Sequence, residues 1–378
     1  MTDRPGDVLR VLFLNENIGG HATVHHHLRR AVAELDGVDA TFVDVPPPGL
    51  VRKLLGAPIP GLARLDLDLQ PLRAQLALSA WVRRRLPALL ADVDVAHVYT
   101  QNSALLSSSI LSSTPTVLST DSTNAENAFR LPYRAPTRFT AHTSKIAARF
   151  ERSVFAAVDA VVANSEWVAR SLHHHYGLDG NDLEVLPFGI TAPARCFDRP
   201  AARRPRIVFV GRQFERKGGP VLLEAFRRVA DRADLTLVTQ QAPPGLEGVT
   251  VVDDLHQGDD RLWELLHGAD IFAFPSGIDQ APNAVLEAMV AGLPVVAVDT
   301  AAVGEMVLEA KTGFLIDDGD AEALGDALER LVDDPSLRAT MGAAGRAHFD
   351  DRYDARQATR RLIELLAEAA GRTVDASA

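Results

Sequence analysis

Four charged residues in the second half of the sequence are spaced as a binder of a phosphorylated ligand would need them. Arg212 and Lys217 lie in Gly211-Arg212-Gln213-Phe214-Glu215-Arg216-Lys217-Gly218, directly after the apolar run from Arg206 to Val210. A glycine at a strand end lets the backbone turn sharply, so both cations can address one place. Two fixed cations suit a diphosphate, whose charge neither alone neutralises. The competing reading is a pair of solvated loop charges, which the flanking glycines argue against. Asp279 and Glu287 belong to Phe274-Pro275-Ser276-Gly277-Ile278-Asp279-Gln280-Ala281-Pro282-Asn283-Ala284-Val285-Leu286-Glu287. Here a strand gives way to a glycine-containing loop and then to a helix with Pro282, Asn283 and Ala284 at its start. Free backbone N–H groups at a helix start form an anion site. Glu287, about one turn inside, is placed to accept hydrogen bonds from a ribose, and Asp279 faces the group beyond the phosphates. Both carboxylates also fit a bland role as dipole-favouring surface residues. The apolar neighbours Val285, Leu286, Ala288 and Met289 make that role less fitting for Glu287.

Those loops require strands and helices in alternation, the signature of parallel βαβ units. In the first half, strands are expected at Val8 to Leu14, Thr41 to Val45, Val93 to Tyr99, Thr116 to Thr120, Asp159 to Asn164 and Glu184 to Leu186. After Gly19-Gly20, the residues Val24, Leu28, Ala31, Val32 and Leu35 fall at helical spacing, and Gly37 closes that helix. A second series begins at Arg206 to Val210. It continues with Leu235 to Thr239, Val249 to Asp253, Ile271 to Phe274, Pro294 to Val298 and Phe314 to Ile316. Between the series, Thr191 to Pro205 holds three prolines and no periodicity. The expected organisation is α/β, with two doubly wound Rossmann-like domains at 1–195 and 196–352 facing across a cleft. A terminal helix over 353–378 packs back on the first domain. Ligands in such sheets bind at the carboxyl ends of the strands.

Bulk properties agree. The chain has 378 residues, 47% hydrophobic and 24% charged, which suits two globular domains. A net charge of -11 argues against a nucleic-acid partner, which would need a basic face. The single cysteine, Cys196, forms no internal disulfide. The polar stretch from Met1 to Asp7 does not read as a signal peptide, and no apolar run reaches the roughly 18 residues of a membrane span. On these features a cytoplasmic protein is expected. Between Val51 and Pro87, however, seven basic residues stand against two acidic ones, Asp66 and Asp68, with leucines and Trp81 interleaved. Two readings stand for this stretch: peripheral contact with an anionic inner membrane face, or, more simply, a solvated helix face over a core.

Histidine and aspartate clusters invite a metal reading. His25-His26-His27 and His173-His174-His175 are consecutive, and consecutive helical residues point in different directions. Asp66-Leu67-Asp68 and Asp92-Val93-Asp94 resemble metal-binding carboxylate pairs, yet strand patterns account for them. No metal is expected, because Arg212 and Lys217 already neutralise phosphate charge.

The pattern G-R-x-x-x-x-K-G, followed by P-S-x-x-D-x-x-P-N-A-V-L-E-A-M-x-A-G-x-P-V-V-A, resembles the retaining glycosyltransferases of family 4, which have the two-domain glycosyltransferase B fold. The similarity covers the second domain, including Glu305 and Thr312-Gly313-Phe314-Leu315. It extends more weakly to Gly19-Gly20, Asp94-Val95-Ala96-His97 and Ala163-Asn164-Ser165. The resemblance implies that Arg212 and Lys217 bind the diphosphate of a nucleotide-sugar donor, Glu287 the ribose and Asp279 the transferred sugar. Gly19 and Gly20 let the first loop approach sugar and phosphates. Three positions depart from the family pattern. Asp279 stands where glutamate is usual, Phe188 where asparagine is usual, and Asp121 or Thr120 where many members have histidine. Asp121 therefore joins Asp279, Arg212 and Lys217 in the implied catalytic set.

The resemblance further implies transfer of a hexosyl or N-acetylhexosaminyl group with retention at the anomeric carbon. The donor would be a UDP-sugar, the only co-substrate besides an acceptor, with no cofactor. The acceptor, a small molecule, natural product, glycan or lipid, is not identified by the sequence. The negative charge developing on the leaving diphosphate would be stabilised by Arg212, Lys217 and the helix start. An alternative is a sugar-nucleotide-binding protein without catalysis. A dinucleotide-dependent oxidoreductase fits poorly, since Gly19-Gly20 lacks the G-x-G-x-x-G spacing.

Overall fold

The structure is a computed structural model that describes residues 8–16, 20–129, 136–180, 182–195, 197, 204–243, 248–255 and 259–373. Among them the chain forms two compact units, Met1–Phe188 with Ala355–Ala378, and Gly189–Asp354.

The first unit is built on a parallel sheet of six strands. They are β1 (Leu9–Asn15), β2 (Val38–Asp44), β3 (Val95–Tyr99), β4 (Thr116–Thr120), β5 (Ala160–Ala163) and β6 (Leu183–Val185), ordered β2-β1-β3-β4-β5-β6. The strands β3 and β4 are buried along their whole length, so neither shows the inside–outside alternation of a half-exposed strand. The edge strand β2 begins three residues before the expected Thr41. Its half-buried opening Val38-Asp39-Ala40 has too little apolar character to announce itself. The helix after Gly20 ends at Val32 rather than at Gly37. It buries Val24, Leu28, Ala31 and Val32, and Gly37 instead takes a φ of 75° and gives its carbonyl to the Leu9 amide.

One face of this sheet is covered by the last helix of the chain, Ala355–Ala369. Leu362, Ile363 and Leu366 pack on Leu9, Val11, Phe13, Val95, Val117 and Val162. Burying each such side chain is worth about 1.5–3 kcal/mol. Polar ties fix its register: Arg361 makes a forked pair with Glu184 at 2.7 Å, and Arg372 reaches Asp94 at 2.8 Å.

The second unit repeats the plan with β7 (Arg206–Val210), β8 (Asp234–Val238), β9 (Val249–Val252), β10 (Ile271–Phe274), β11 (Val295–Val298) and β12 (Gly313–Ile316). All pair in parallel, in the order β12-β11-β10-β7-β8-β9. Its core gathers Phe209, Phe214, Leu222, Leu235, Ile271 and the stripe Leu324, Leu328, Leu331. The reversal of strand order places β7 beside β10, so the loops leaving these two strands emerge side by side.

Candidate functional site

In the second unit, the loops after β7 and β10 are joined by contacts that specify their residues. Gly218 has a φ of 78°, and a Cβ there would lie 1.8 Å from the Pro275 carbonyl oxygen. Only glycine permits this close approach. One residue earlier, the Lys217 ammonium donates to an Asp279 carboxylate oxygen and lies 5.8 Å from the Phe274 ring centre. The Ser276 hydroxyl donates to the other Asp279 oxygen at 2.5 Å. Lys217 and Asp279 were expected on different parts of one ligand, and here they are bonded to each other. Arg212 is exposed, and among the described residues its guanidinium has no partner.

The helix Asn283–Val290 follows, with the extended Pro282 as its cap residue rather than its first helical residue. By helix geometry the amides of Asn283 and Ala284 have no intrahelical acceptor, whereas the Val285 amide bonds back to the Pro282 carbonyl. The Asn283 Oδ1 atom is buried with no hydrogen-bond partner among the described residues. Glu287 lies one turn in, half-buried, between core residues Val285, Leu286, Ala288 and Met289. No described side chain pairs with its carboxyl, and burial pushes it up to about 7. The unit thus holds an exposed and a half-paired cation on the loop after β7, an open helix start, and a carboxyl with its acceptor capacity unspent.

Beyond β11, Glu305 is half-buried in the short helix Val303–Met306. Its carbonyl accepts from His348 Nε2 at 2.9 Å and the Tyr353 hydroxyl at 3.1 Å. The Ala302 amide bonds to the Gln280 carbonyl at 3.0 Å, tying this turn to the loop that carries Asp279.

The first unit holds a separate constellation at the carboxyl ends of β1, β3 and β4. Gly20 caps the helix His21–Val32, while Gly19 lies outside the described residues, as does Cys196. His21, one residue past Gly20, was not singled out from the sequence. Its Nε2 meets Asp121 Oδ2 at 2.8 Å and its Nδ1 meets the Glu16 carbonyl at 3.2 Å. With acceptors at both nitrogens the ring is an imidazolium. Burial alone would lower it, but the Asp121 carboxylate and Glu16 outweigh burial and raise it to about 9. Burial works upward on Asp121 too, and the imidazolium overcomes it, holding the carboxyl below its ordinary range.

Thr120 takes a different role. Its hydroxyl contacts Gln101 Oε1 at 2.7 Å and the Ser122 carbonyl at 2.8 Å, within a buried network around Glu151. Of Thr120 and Asp121, the aspartate is therefore the residue presented at the sheet's end. Phe188, the last residue of its unit segment, is half-buried. His97 is buried against the Ser119 hydroxyl at 2.8 Å, and Asn164 donates to the Tyr99 hydroxyl at 3.0 Å. Both support the strand ends from within.

The clusters weighed as metal sites hold structural positions. His25 is buried edge-on to Tyr99, and burial lowers it to about 3, whereas His26 is exposed. His173, His174 and His175 are all exposed. Asp66 accepts from the hydroxyls of Thr140 and Thr143, Asp68 from the amides of Ile59 and Gln70, and Asp94 from Arg10 and Arg372. No group of three or more such side chains able to hold a metal ion gathers among the described residues.

Comparison with known proteins fits both halves. The sequence model described as Glycosyltransferase Family 4 matches residues 18–192, and that described as Glycosyl transferases group 1 matches residues 204–334. D-inositol 3-phosphate glycosyltransferase of Rhodococcus opacus is 30% identical over 230 residues, which cover 53% of this chain and 51% of that protein. The GDP-mannose-dependent monoacylated alpha-(1-6)-phosphatidylinositol monomannoside mannosyltransferase of Corynebacterium glutamicum is 30% identical over 246 residues, 57% of this chain and 64% of that protein. The matched region is thus about half to two thirds of the length of these relatives. Among solved structures, sucrose-phosphate synthase from Thermosynechococcus elongatus aligns with a TM-score of 0.67 at 18% identity, covering 94% of this chain and 98% of that one. Anabaena Alr3699/HepE in complex with UDP-glucose aligns at 0.64 and 16% identity, covering 95% and 100%. At such identities the likeness is one of fold, and the fold is the two-domain glycosyltransferase B arrangement.

Proposed function

The chain belongs to the family 4 glycosyltransferases (glycosyl transferases group 1), and from that premise we propose that it transfers a hexosyl or N-acetylhexosaminyl group from a UDP-sugar with retention at the anomeric carbon. The observation that carries the reading is the joining of two loops in the second unit. The contact of Gly218 with Pro275 and the Lys217–Asp279 pair bring Arg212, Lys217 and the helix start at Asn283 to one strand-end edge.

In this reading Arg212 and Lys217 hold the diphosphate, and the amides of Asn283 and Ala284 add the attraction of a helix start. Glu287 accepts from the ribose hydroxyls, which supply the hydrogen bonds its half-buried carboxyl lacks. Asp279 orients Lys217 and reaches the transferred sugar. As the bond between the anomeric carbon and the phosphate oxygen breaks, charge accumulates on the leaving diphosphate, and the pre-placed cations stabilise it without reorganisation. The acceptor oxygen bonds to the anomeric carbon on the face the phosphate leaves, and its proton passes to the departing phosphate oxygen. No metal is assigned to this step.

The alternative is a binder of sugar nucleotides that keeps the donor site without catalysis, and Asp121 stands where many family members have histidine. His21 supplies an imidazolium at that place from the neighbouring helix, which favours the catalytic reading. The acceptor classes named for the curated relatives, inositol 3-phosphate and a phosphatidylinositol mannoside, make a phosphorylated or lipid-linked polyol the first acceptor class to try.

A thermal-shift screen against UDP-, GDP- and ADP-sugars tests the donor, followed by transfer assays in excess EDTA. UDP-sugars should give the largest shift, and transfer should survive the chelator. No shift with any nucleoside diphosphate would sink the donor site, and a strict need for magnesium or manganese would sink the metal-free mechanism.

A further inference from the structure

A stretch of the first unit is built with its polar groups inward and its apolar groups outward. The helix Leu50–Leu55 buries none of its residues. Leu50, Val51 and Leu54 are 74%, 70% and 66% exposed, and Leu55, Ile59, Leu62, Leu65 and Leu67 are exposed as well. Eight of the eleven exposed large hydrophobic residues among the described residues fall between positions 50 and 67. A patch so concentrated marks an interaction surface. A six-residue helix is not stable by itself, and apolar burial does not hold this one.

Hydrogen bonds hold it. Arg73 donates to the carbonyls of Leu55, Ala57 and Asp68 at 2.7, 2.8 and 2.7 Å. Gln70 donates to the Gly56 carbonyl and Arg52 to the Pro46 carbonyl, each at 2.8 Å. The segment's one acidic residue, Asp66, is buried, as is Asp68 just beyond it, so its outward charge is positive, from Lys53 and Arg64. On a chain of net charge -11 this is a local inversion of both polarity and sign.

We infer that residues 50–67 form a docking surface for an anionic lipid bilayer, with the leucines entering the headgroup boundary and Lys53 and Arg64 meeting lipid phosphates. Charge complementarity selects this occupant. A second copy docked through the same face would bring Lys53 and Arg64 against their own kind, whereas anionic headgroups neutralise them. The surface is narrower than the basic stretch from Val51 to Pro87. Farther along, Val82 and Leu86 belong to the core, Arg83 donates to the Leu106 carbonyl, and Arg85 stacks on Trp81. Among the described residues no helix is long and apolar enough to cross a membrane, and the contact proposed is peripheral.

The test is sedimentation of the full chain with vesicles of equal parts phosphatidylcholine and phosphatidylserine, beside phosphatidylcholine alone. The protein should sediment with the anionic vesicles at low salt, and leave them at high salt, because exposed charge attraction is screened. Each cation near the surface strengthens such binding roughly fivefold. The double variants Leu50→Ser/Leu54→Ser and Lys53→Glu/Arg64→Glu should each weaken it at least about tenfold. Their melting temperatures should not change, since all four side chains are exposed. Sugar-nucleotide binding by these variants should also be unchanged, so a failure of this inference is distinct from a failure of the donor site. Three results would overturn the inference: no sedimentation with anionic vesicles, equal binding to neutral ones, or a dimer in sedimentation velocity that Leu54→Ser dissociates.

Discussion

The two units carry their charged groups at strand ends in opposite conditions. In the first unit the ionisable groups are hydrogen-bonded within the protein: His21 to Asp121 and the Glu16 carbonyl, Glu16 to Thr100, and Glu151 to Gln101, Asn124 and Tyr176. In the second, Arg212 and Glu287 have no partner among the described residues, and Lys217 is held by one carboxylate. A satisfied network fixes geometry, whereas an uncompensated group stores binding energy for a ligand that completes it. The contrast fits the proposal that the first constellation positions and the second captures the donor.

The largest expected effect falls on the two cations, Arg212 without a partner among the described residues and Lys217 held by a single carboxylate. Arg212→Ala or Lys217→Ala should weaken nucleoside diphosphate binding by about 1.5–3 kcal/mol, roughly tenfold to a hundredfold. Binding of the nucleoside alone should hardly change. Titration calorimetry with UDP and uridine separates the two, and equal losses would show that the pair does not hold phosphate.

Glu287 should reveal its cost through pH. Its carboxyl is raised from an ordinary 4.5 to about 7, so the folded state holds the proton more tightly than the unfolded chain. Stability therefore falls as pH rises from 4.5 through 7. Glu287→Gln removes that penalty and should stabilise the protein by about 2–3 kcal/mol above pH 7, with little gain below 4.5. Chemical denaturation at both ends of the range checks this. A variant less stable than the parent at high pH would mean that the carboxylate already has a compensating partner.

The paired side should respond the other way. Asp121→Asn should destabilise by about 1–3 kcal/mol near neutral pH, because the imidazolium of His21 loses its counter-charge. His21 has a raised value, so the stabilisation it draws from the pair is present at neutral pH and fades as pH climbs through about 9. Asp121 has a lowered one, so its share fades as pH falls through the acid range. Melting curves of parent and variant should converge at both extremes. A difference that is flat with pH would assign the residue to packing rather than to charge.

The two constellations also differ in how far they could be read from the chain. The residues proposed to hold the donor lie in two short stretches, each following an apolar strand and punctuated by glycine or proline. Local spacing was therefore enough to nominate Arg212, Lys217, Asp279 and Glu287. What it did not reveal was the Lys217–Asp279 bond, because the pair is 62 residues apart and meets only where β7 lies beside β10. The first-unit pair is harder still. His21 and Asp121 are 100 residues apart, joined by the order of β1, β3 and β4. One signal was present: polar residues just beyond the ends of two strands of one parallel sheet share an edge. The twelve strands of the described residues were anticipated, most of them because a buried parallel strand is rich in apolar residues, and the error at the start of β2 came in a half-exposed edge strand. The outward facing of the leucines at positions 50–67 was not legible in the sequence for a related reason, since a sequence does not say which side of a short helix is anchored by carbonyl bonds.

The division of labour within the donor site is tested most directly by calorimetric titration of UDP into Glu287→Ala and Asp279→Ala. Glu287 is assigned to the ribose, so its alanine variant should bind UDP at least about tenfold more weakly. Asp279 is assigned to the sugar and to the orientation of Lys217. Its removal should leave UDP affinity unchanged or slightly improved, because a negative charge beside the diphosphate is lost. Sugar transfer by the same variant should nevertheless fall at least about tenfold, as the reacting carbon is misplaced. If Asp279→Ala loses UDP binding as severely as Glu287→Ala, the two carboxylates do not read separate parts of one donor.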